Sequence, residues 1–183
     1  MEQALVFASI MLGVAIASEL TNLHHLLRAK QVIWHWAQPA FAIFVLLNIV
    51  AFWWGAANNE GSISFARFLP ILLQLVLLVL LAAVSLPDKI PDDRLDLGEY
   101  YQENRRYQWI LFSLYFWSIH IGFVARTLAL DISALDKVAM LGPDTIAGLI
   151  AFGMIFAQRW RWIALGFAFF ALSPIAWAAR TLG

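Results

Sequence analysis

FARFLPILLQLVLLVLLAAVSL, residues 65–86, decides the class of this protein. Beyond Arg67 it carries no charge, and Gln74 is the polar residue in its middle. A spanning helix needs roughly 20 mainly apolar residues, so this run is long enough to cross a bilayer. Its apolar residues are continuous rather than alternating, which excludes a strand of a closed barrel. Five further segments read the same way: 3–24, 32–54, 107–128, 138–157 and 160–182. The sequence therefore predicts an all-α polytopic transmembrane bundle of six spans, with residues 1–183 forming one transmembrane domain.

Composition agrees. The chain is 62% hydrophobic and only 13% charged, with a mean hydropathy of +0.76. Soluble domains are about 45–50% apolar, so this chain needs lipid to cover it. Net charge is zero, and no basic surface points to nucleic acid. The absence of cysteine removes disulfides, thiolate metal sites and cysteine nucleophiles. The first span begins with Glu2 and no basic leader, so it is expected to be retained rather than cleaved.

Lys and Arg set the expected orientation. Eight of the twelve, Arg28, Lys30, Lys89, Arg94, Arg105, Arg106, Arg159 and Arg161, lie on connections one–two, three–four and five–six. Arg67, Arg126, Lys137 and Arg180 lie on the other side. Positive charge favours the cytoplasm, so both termini are expected outside. Trp34, Trp36, Trp53, Trp54, Trp109, Trp160 and Trp162 fall near span ends, as an aromatic belt requires.

The one long connection, 87–106, is expected to be cytoplasmic. Its first part is extended and acidic, and Asp96 is placed to cap a helix beginning near Leu97, with Glu99 in its first turn. That helix is expected to run along the interface and bend into the fourth span. Glu99 and Glu103 share a face, with Arg106 three residues on. A solvated elbow and a contact surface for a protein partner are both readings of this stretch. Two small-residue pairs, Gly13 with Ala17 and Ala147 with Ala151, permit close helix packing.

LNIVAFWWG (47–55), SLPD (85–88) and YYQENRRYQW (100–109), in that order, resemble a group of small uncharacterised bacterial multi-pass inner-membrane proteins. The resemblance implies a bacterial inner membrane and carries over no activity and no catalytic residue.

Chemistry-bearing residues fall into three groups. In SELTNLHH, residues 18–25, Ser18, Asn22 and His25 lie within roughly 60° of one another on a helix, with Glu19 about 60° beyond Asn22. Glu19 lies roughly 8 Å deeper than His24, where a carboxylate needs protein or water around it. His35 and Gln38 re-enter at the same depth. Pro39, if inside a helix, would free the carbonyl of His35. Together these residues are expected to line one small polar cavity. Glu19, His25 and His35 are also the donors a metal would use, and His25 and His35 those a haem would use, although no cofactor or metal is expected. On the far side, His120, Arg126 and Asp144 share a depth. Asp144 alone would cap a helix after Pro143, and Arg126 would reach outward to water. Asn48 and Gln74 sit mid-membrane, where an amide usually bonds a neighbouring helix.

No phosphate loop, dinucleotide fingerprint, HExxH, GxSxG or potassium-filter motif is present. Two polar clusters at opposite depths, joined by Asn48 and Gln74, lead to the expectation of a homo-oligomer that moves an ion or small solute. A sensor or assembly subunit acting through 87–106, and a His-ligated redox or metal protein, are the other two functions consistent with the sequence.

Overall fold

The computed structural model describes residues 2–57, 65–91 and 94–181, with side chains over 6–56, 68–91 and 94–172. Six helices follow in order: α1 (Glu2–Arg28), α2 (Ala37–Ala57), α3 (Phe65–Ser85), α4 (Leu97–Leu128), α5 (Ala134–Met154) and α6 (Trp160–Thr181). Two short strands, β1 (Val32–Ile33) and β2 (Leu95–Asp96), complete the order. The protein is all-helical, and α1 to α5 are each long and apolar enough to cross a membrane. The last residue of the expected sixth span, Leu182, lies outside the described residues.

Each helix buries one stripe. On α1 the buried residues are Ala8, Leu12, Ala15, Glu19 and Leu26, at the three-and-four spacing that keeps side chains on one face. The opposite face is apolar as well, with Ile10, Val14 and Leu20 exposed. The same holds for Ile43, Leu47 and Val50 on α2 and for Leu69, Leu73, Val76 and Leu80 on α3. Exposed apolar side chains along helix after helix are the surface that a bilayer covers.

Helices α2, α3 and α4 form the centre. Helix α1 packs on α2 and α3, α5 on α4, and α6 on α2 and α5. The centre is aromatic: Trp109 lies among Phe41, Phe44, Phe112, Phe167 and Phe170, with ring centroids 5.6–6.1 Å away. Its indole N–H donates to the Tyr101 hydroxyl at 2.9 Å, two turns earlier on the same helix. Trp109 is wholly buried, so it is a core residue and not part of the expected belt. Between α4 and α5 the approach is close at Gly148, where a Cβ would lie 2.8 Å from Trp117. The Ala147–Ala151 pair brackets this contact, whereas Gly13 and Ala17 are exposed, and a Cβ at Gly13 would meet no described residue within 4 Å.

The starts of the second and fifth helices depart from the sequence reading. Residues 32–33 leave the second span because they pair in parallel with 95–96, Val32 opposite Leu95 and Ile33 opposite Asp96. Pro39 then falls in the first turn of α2, where no N–H is required, so it disrupts no helix. The fifth helix begins at Ala134 rather than 138, because Ser133 caps it by accepting from the Asp136 N–H while its hydroxyl donates to the Asp136 carboxylate. Pro143 is therefore inside α5, and Asp144 is not its cap. Asp96 caps α4 as expected, accepting from the N–H groups of Gly98 and Glu99. From there α4 is one uninterrupted helix of 32 residues. Tyr101 and Arg105 are buried, so this half of the 87–106 connection is not a solvated elbow.

Candidate functional site

The last turn of a helix leaves carbonyl groups without intrahelical donors. At the end of α3 these carbonyls are buried, and side chains from two other helices supply the donors. Gln38 Nε2 on α2 donates to the Ser85 carbonyl. Gln108 Nε2 on α4 donates to the Val84 carbonyl at 3.0 Å. Between them the Ser85 hydroxyl lies 2.7 Å from Glu19 Oε1 on α1 and 2.9 Å from the Ala82 carbonyl. Glu19, Gln38, Ser85 and Gln108 are all buried, Glu19 at 1% exposure.

Three acceptor oxygens in this cluster have no partner among the described residues: Glu19 Oε2, Gln38 Oε1 and Gln108 Oε1. The orientation of the two amides is fixed, because a carbonyl can accept only from their nitrogen ends. Their oxygens are thus held as acceptors. Ser85 has one hydrogen for two acceptors. It donates to Glu19 when that group is a carboxylate, or it turns to Ala82 and receives a hydrogen from the carboxylic acid. The arrangement can hold the carboxyl in either protonation state without moving a helix.

The other expected members of the cavity lie elsewhere. Ser18, His24 and His25 are exposed and Asn22 is half-buried, so the polar stripe of α1 faces away from Glu19. The stripe and the carboxyl share a helix but not a face. His35 is turned toward the start of α4, where its ring would lie 3.2 Å from a Cβ at Gly98, and its centroid is 4.0 Å from that of Trp160. Its Nδ1 accepts from the Ala37 N–H at 3.4 Å, which leaves the proton on Nε2. Glu19, His25 and His35 therefore do not converge, and no group of three His, Cys, Asp or Glu side chains placed to hold a metal occurs among the described residues.

No family model, curated protein or solved structure matches this chain.

Asp96 lies beside His35 at the same end of the bundle. The N–H groups of Glu99 and Gly98 hold its carboxyl below the ordinary range, and the charge of Arg94 acts in the same direction. Its ion pair with Arg94, at 3.7 Å, is on the surface. Nearby, Arg105 serves the end of α5 as the glutamines serve the end of α3. Its Nη1 donates to the carbonyls of Ile155 and Ala157 at 3.0 and 3.1 Å. Its Nε donates to Gln102, whose amide reaches the Gln158 carbonyl.

The far group divides. His120 is buried, with its Nε2 3.0 Å from the Thr145 hydroxyl. Thr145 gives its hydrogen to the Leu141 carbonyl, so His120 Nε2 is the donor. Asp144 is half-buried and Arg126 exposed, and neither takes part in this bond. Asn48 bonds the Phe44 carbonyl of its own helix at 2.8 Å rather than a neighbouring helix. Gln74 is half-buried, with no partner among the described residues. Sequence reasoning singled out Glu19 and Gln38 and missed Ser85, Gln108 and Thr145. The signal available for Ser85 and Gln108 was a polar residue in the outermost turn of a span, on the side facing another helix.

Proposed function

We propose that the protein moves a cation, or a small solute coupled to one, across a bacterial inner membrane. The observation that carries this reading is Glu19: a carboxyl on the buried stripe of a membrane helix, with one oxygen on Ser85 and the other without a donor. A carboxylate inside a membrane costs on the order of 2–3 kcal/mol, and a purely structural bundle gains nothing from it that a glutamine would not supply. A group that must take up and release a positive charge requires it. The proposal includes six spans with both termini outside, because the Lys- and Arg-rich connections gather at the Glu19 end. It also includes a homo-oligomer, since the aromatic layer around Trp109 fills the interior of one chain.

The test is flux in reconstituted vesicles under an imposed pH or sodium gradient. Wild-type protein is expected to dissipate the gradient, and Glu19→Gln, nearly isosteric, to remain folded and lose most of the flux. Equal flux from both proteins would take Glu19 off the path. Silence from the wild type toward all ions and solutes tried would overturn the transport reading.

One observation favours a second reading. Glu99, Glu103, Arg106 and Tyr107 form an exposed stripe on the first turns of α4, a surface that a partner protein could occupy. An assembly subunit would lose its partner in a detergent pull-down on charge reversal of Glu99 and Glu103, with vesicle flux absent throughout.

A further inference from the structure

We infer that Glu19, Gln38 and Ser85, at the C-terminal end of α3, form a binding site for a hard monovalent cation of the sodium class. The inference deepens the proposed function at the same site and rests on it for its purpose, but binding is measurable without flux.

The donor set is oxygen only. Glu19 Oε2 and Gln38 Oε1 are buried acceptors without donors, held on either side of the same residue, Ser85. Gln108 Oε1 is a third such acceptor at the same helix end. Buried acceptors left unpaired are costly, and a bound cation satisfies several at once, whereas a proton on Glu19 satisfies one. The end of α3 adds the negative pole of its helix dipole, which also favours a cation.

Charge selects the valence. Glu19 is bonded to Ser85 from α3, and Gln38 from α2 bonds the backbone of the same serine; neither partner titrates. On α4, Arg105 is engaged with the carbonyls of Ile155 and Ala157, and His25 on α1 itself points outward. The site therefore holds a single negative charge. One monovalent cation neutralises it, whereas a divalent ion would leave a net charge buried. Amide and carboxylate oxygens without imidazole or thiolate favour sodium over transition metals.

The test is thermal unfolding of the purified protein in detergent at constant ionic strength, with sodium exchanged for choline, together with sodium-22 binding by equilibrium dialysis. The expected result is about one sodium per chain and a Tm raised by about 5–11 °C at a hundredfold excess over Kd. Glu19→Gln and Gln38→Leu should each abolish both effects, while Gln74→Leu, away from the cluster, should keep them. If Glu19→Gln does not fold, Gln38→Leu and the wild-type stoichiometry still decide. Equal Tm in sodium and choline with no bound sodium-22 would overturn the inference. Sodium binding without vesicle flux would sustain it and sink the transport reading instead.

Discussion

At one end of the bundle, side chains reach across to bond the backbone of neighbouring helices; at the other, the described residues of α4 and α5 mostly meet side by side. The first end holds the β1–β2 pairing, the Gln38 and Gln108 bonds to the end of α3, and the Arg105 bonds to the end of α5. The second holds the His120–Thr145 pair and a bond from Lys137 to the Leu128 carbonyl. Leu135 and Val138 are exposed there, beside an open groove of about 630 Å³ lined by Phe123, Ile132, Asp136, Ala139 and Met140. The difference shows where polar side chains are useful in a membrane helix. Helix ends carry unpaired carbonyls, and burying those ends requires donors from elsewhere in the chain. Among the described residues, the end bonded in this way is also the end that buries a carboxyl.

Four substitutions in detergent-solubilised protein sharpen or break this contrast. Trp109→Ala, at the aromatic layer against which the bonded end rests, should cost about 3–5 kcal/mol by calorimetry or chemical unfolding. A loss below ~1 kcal/mol would mean that the layer does not support that end. Arg105→Met keeps the aliphatic stem but orphans the carbonyls of Ile155 and Ala157, and should cost about 1–3 kcal/mol. Asp96→Ala removes the cap of α4 and should lower Tm by about 2–4 °C at neutral pH. Because the folded Asp96 carboxyl titrates below its unfolded value, its contribution is complete above the unfolded pKa. It is lost as pH falls through the lower folded value. The Tm gap to wild type should therefore close in acid, and a gap that widens there would contradict the assigned cap. Arg126→Gln, exposed at the opposite end, should change stability by no more than about 0.5 kcal/mol.

The spans were legible because a continuous apolar run of that length has few other uses, and the capping role of Asp96 follows local spacing, whereas Ser133 was passed over in favour of Asp144. The value of Glu19 was legible as well, as a carboxyl placed where it needs protein or water around it. Its surroundings were not. A wheel drawn through the polar residues joins Glu19 to Asn22 and His25, whereas one drawn through Ala8, Leu12, Ala15 and Leu26 puts Glu19 on the buried stripe. On a helix with apolar residues on both faces, polarity alone does not tell which face meets protein. Ser85, its hydrogen-bond partner, is 66 residues away, and nothing local to either residue announces the pairing. The β1–β2 clamp was hidden for the same reason: two-residue strands carry no periodicity, and their register exists only once α1 to α4 have assembled.

The central claim is that the Glu19 cluster is reached from water at the Lys- and Arg-rich end. The chain has no cysteine, so Ser85→Cys introduces a single thiol directly at the cluster. Labelling by a membrane-impermeant thiol reagent, applied to sealed vesicles of each orientation, reads the access. The account predicts reaction from the side of the 29–36 and 86–96 connections, slowed by sodium. Reaction from the opposite side alone, or none from either side in a variant that remains folded, would contradict it.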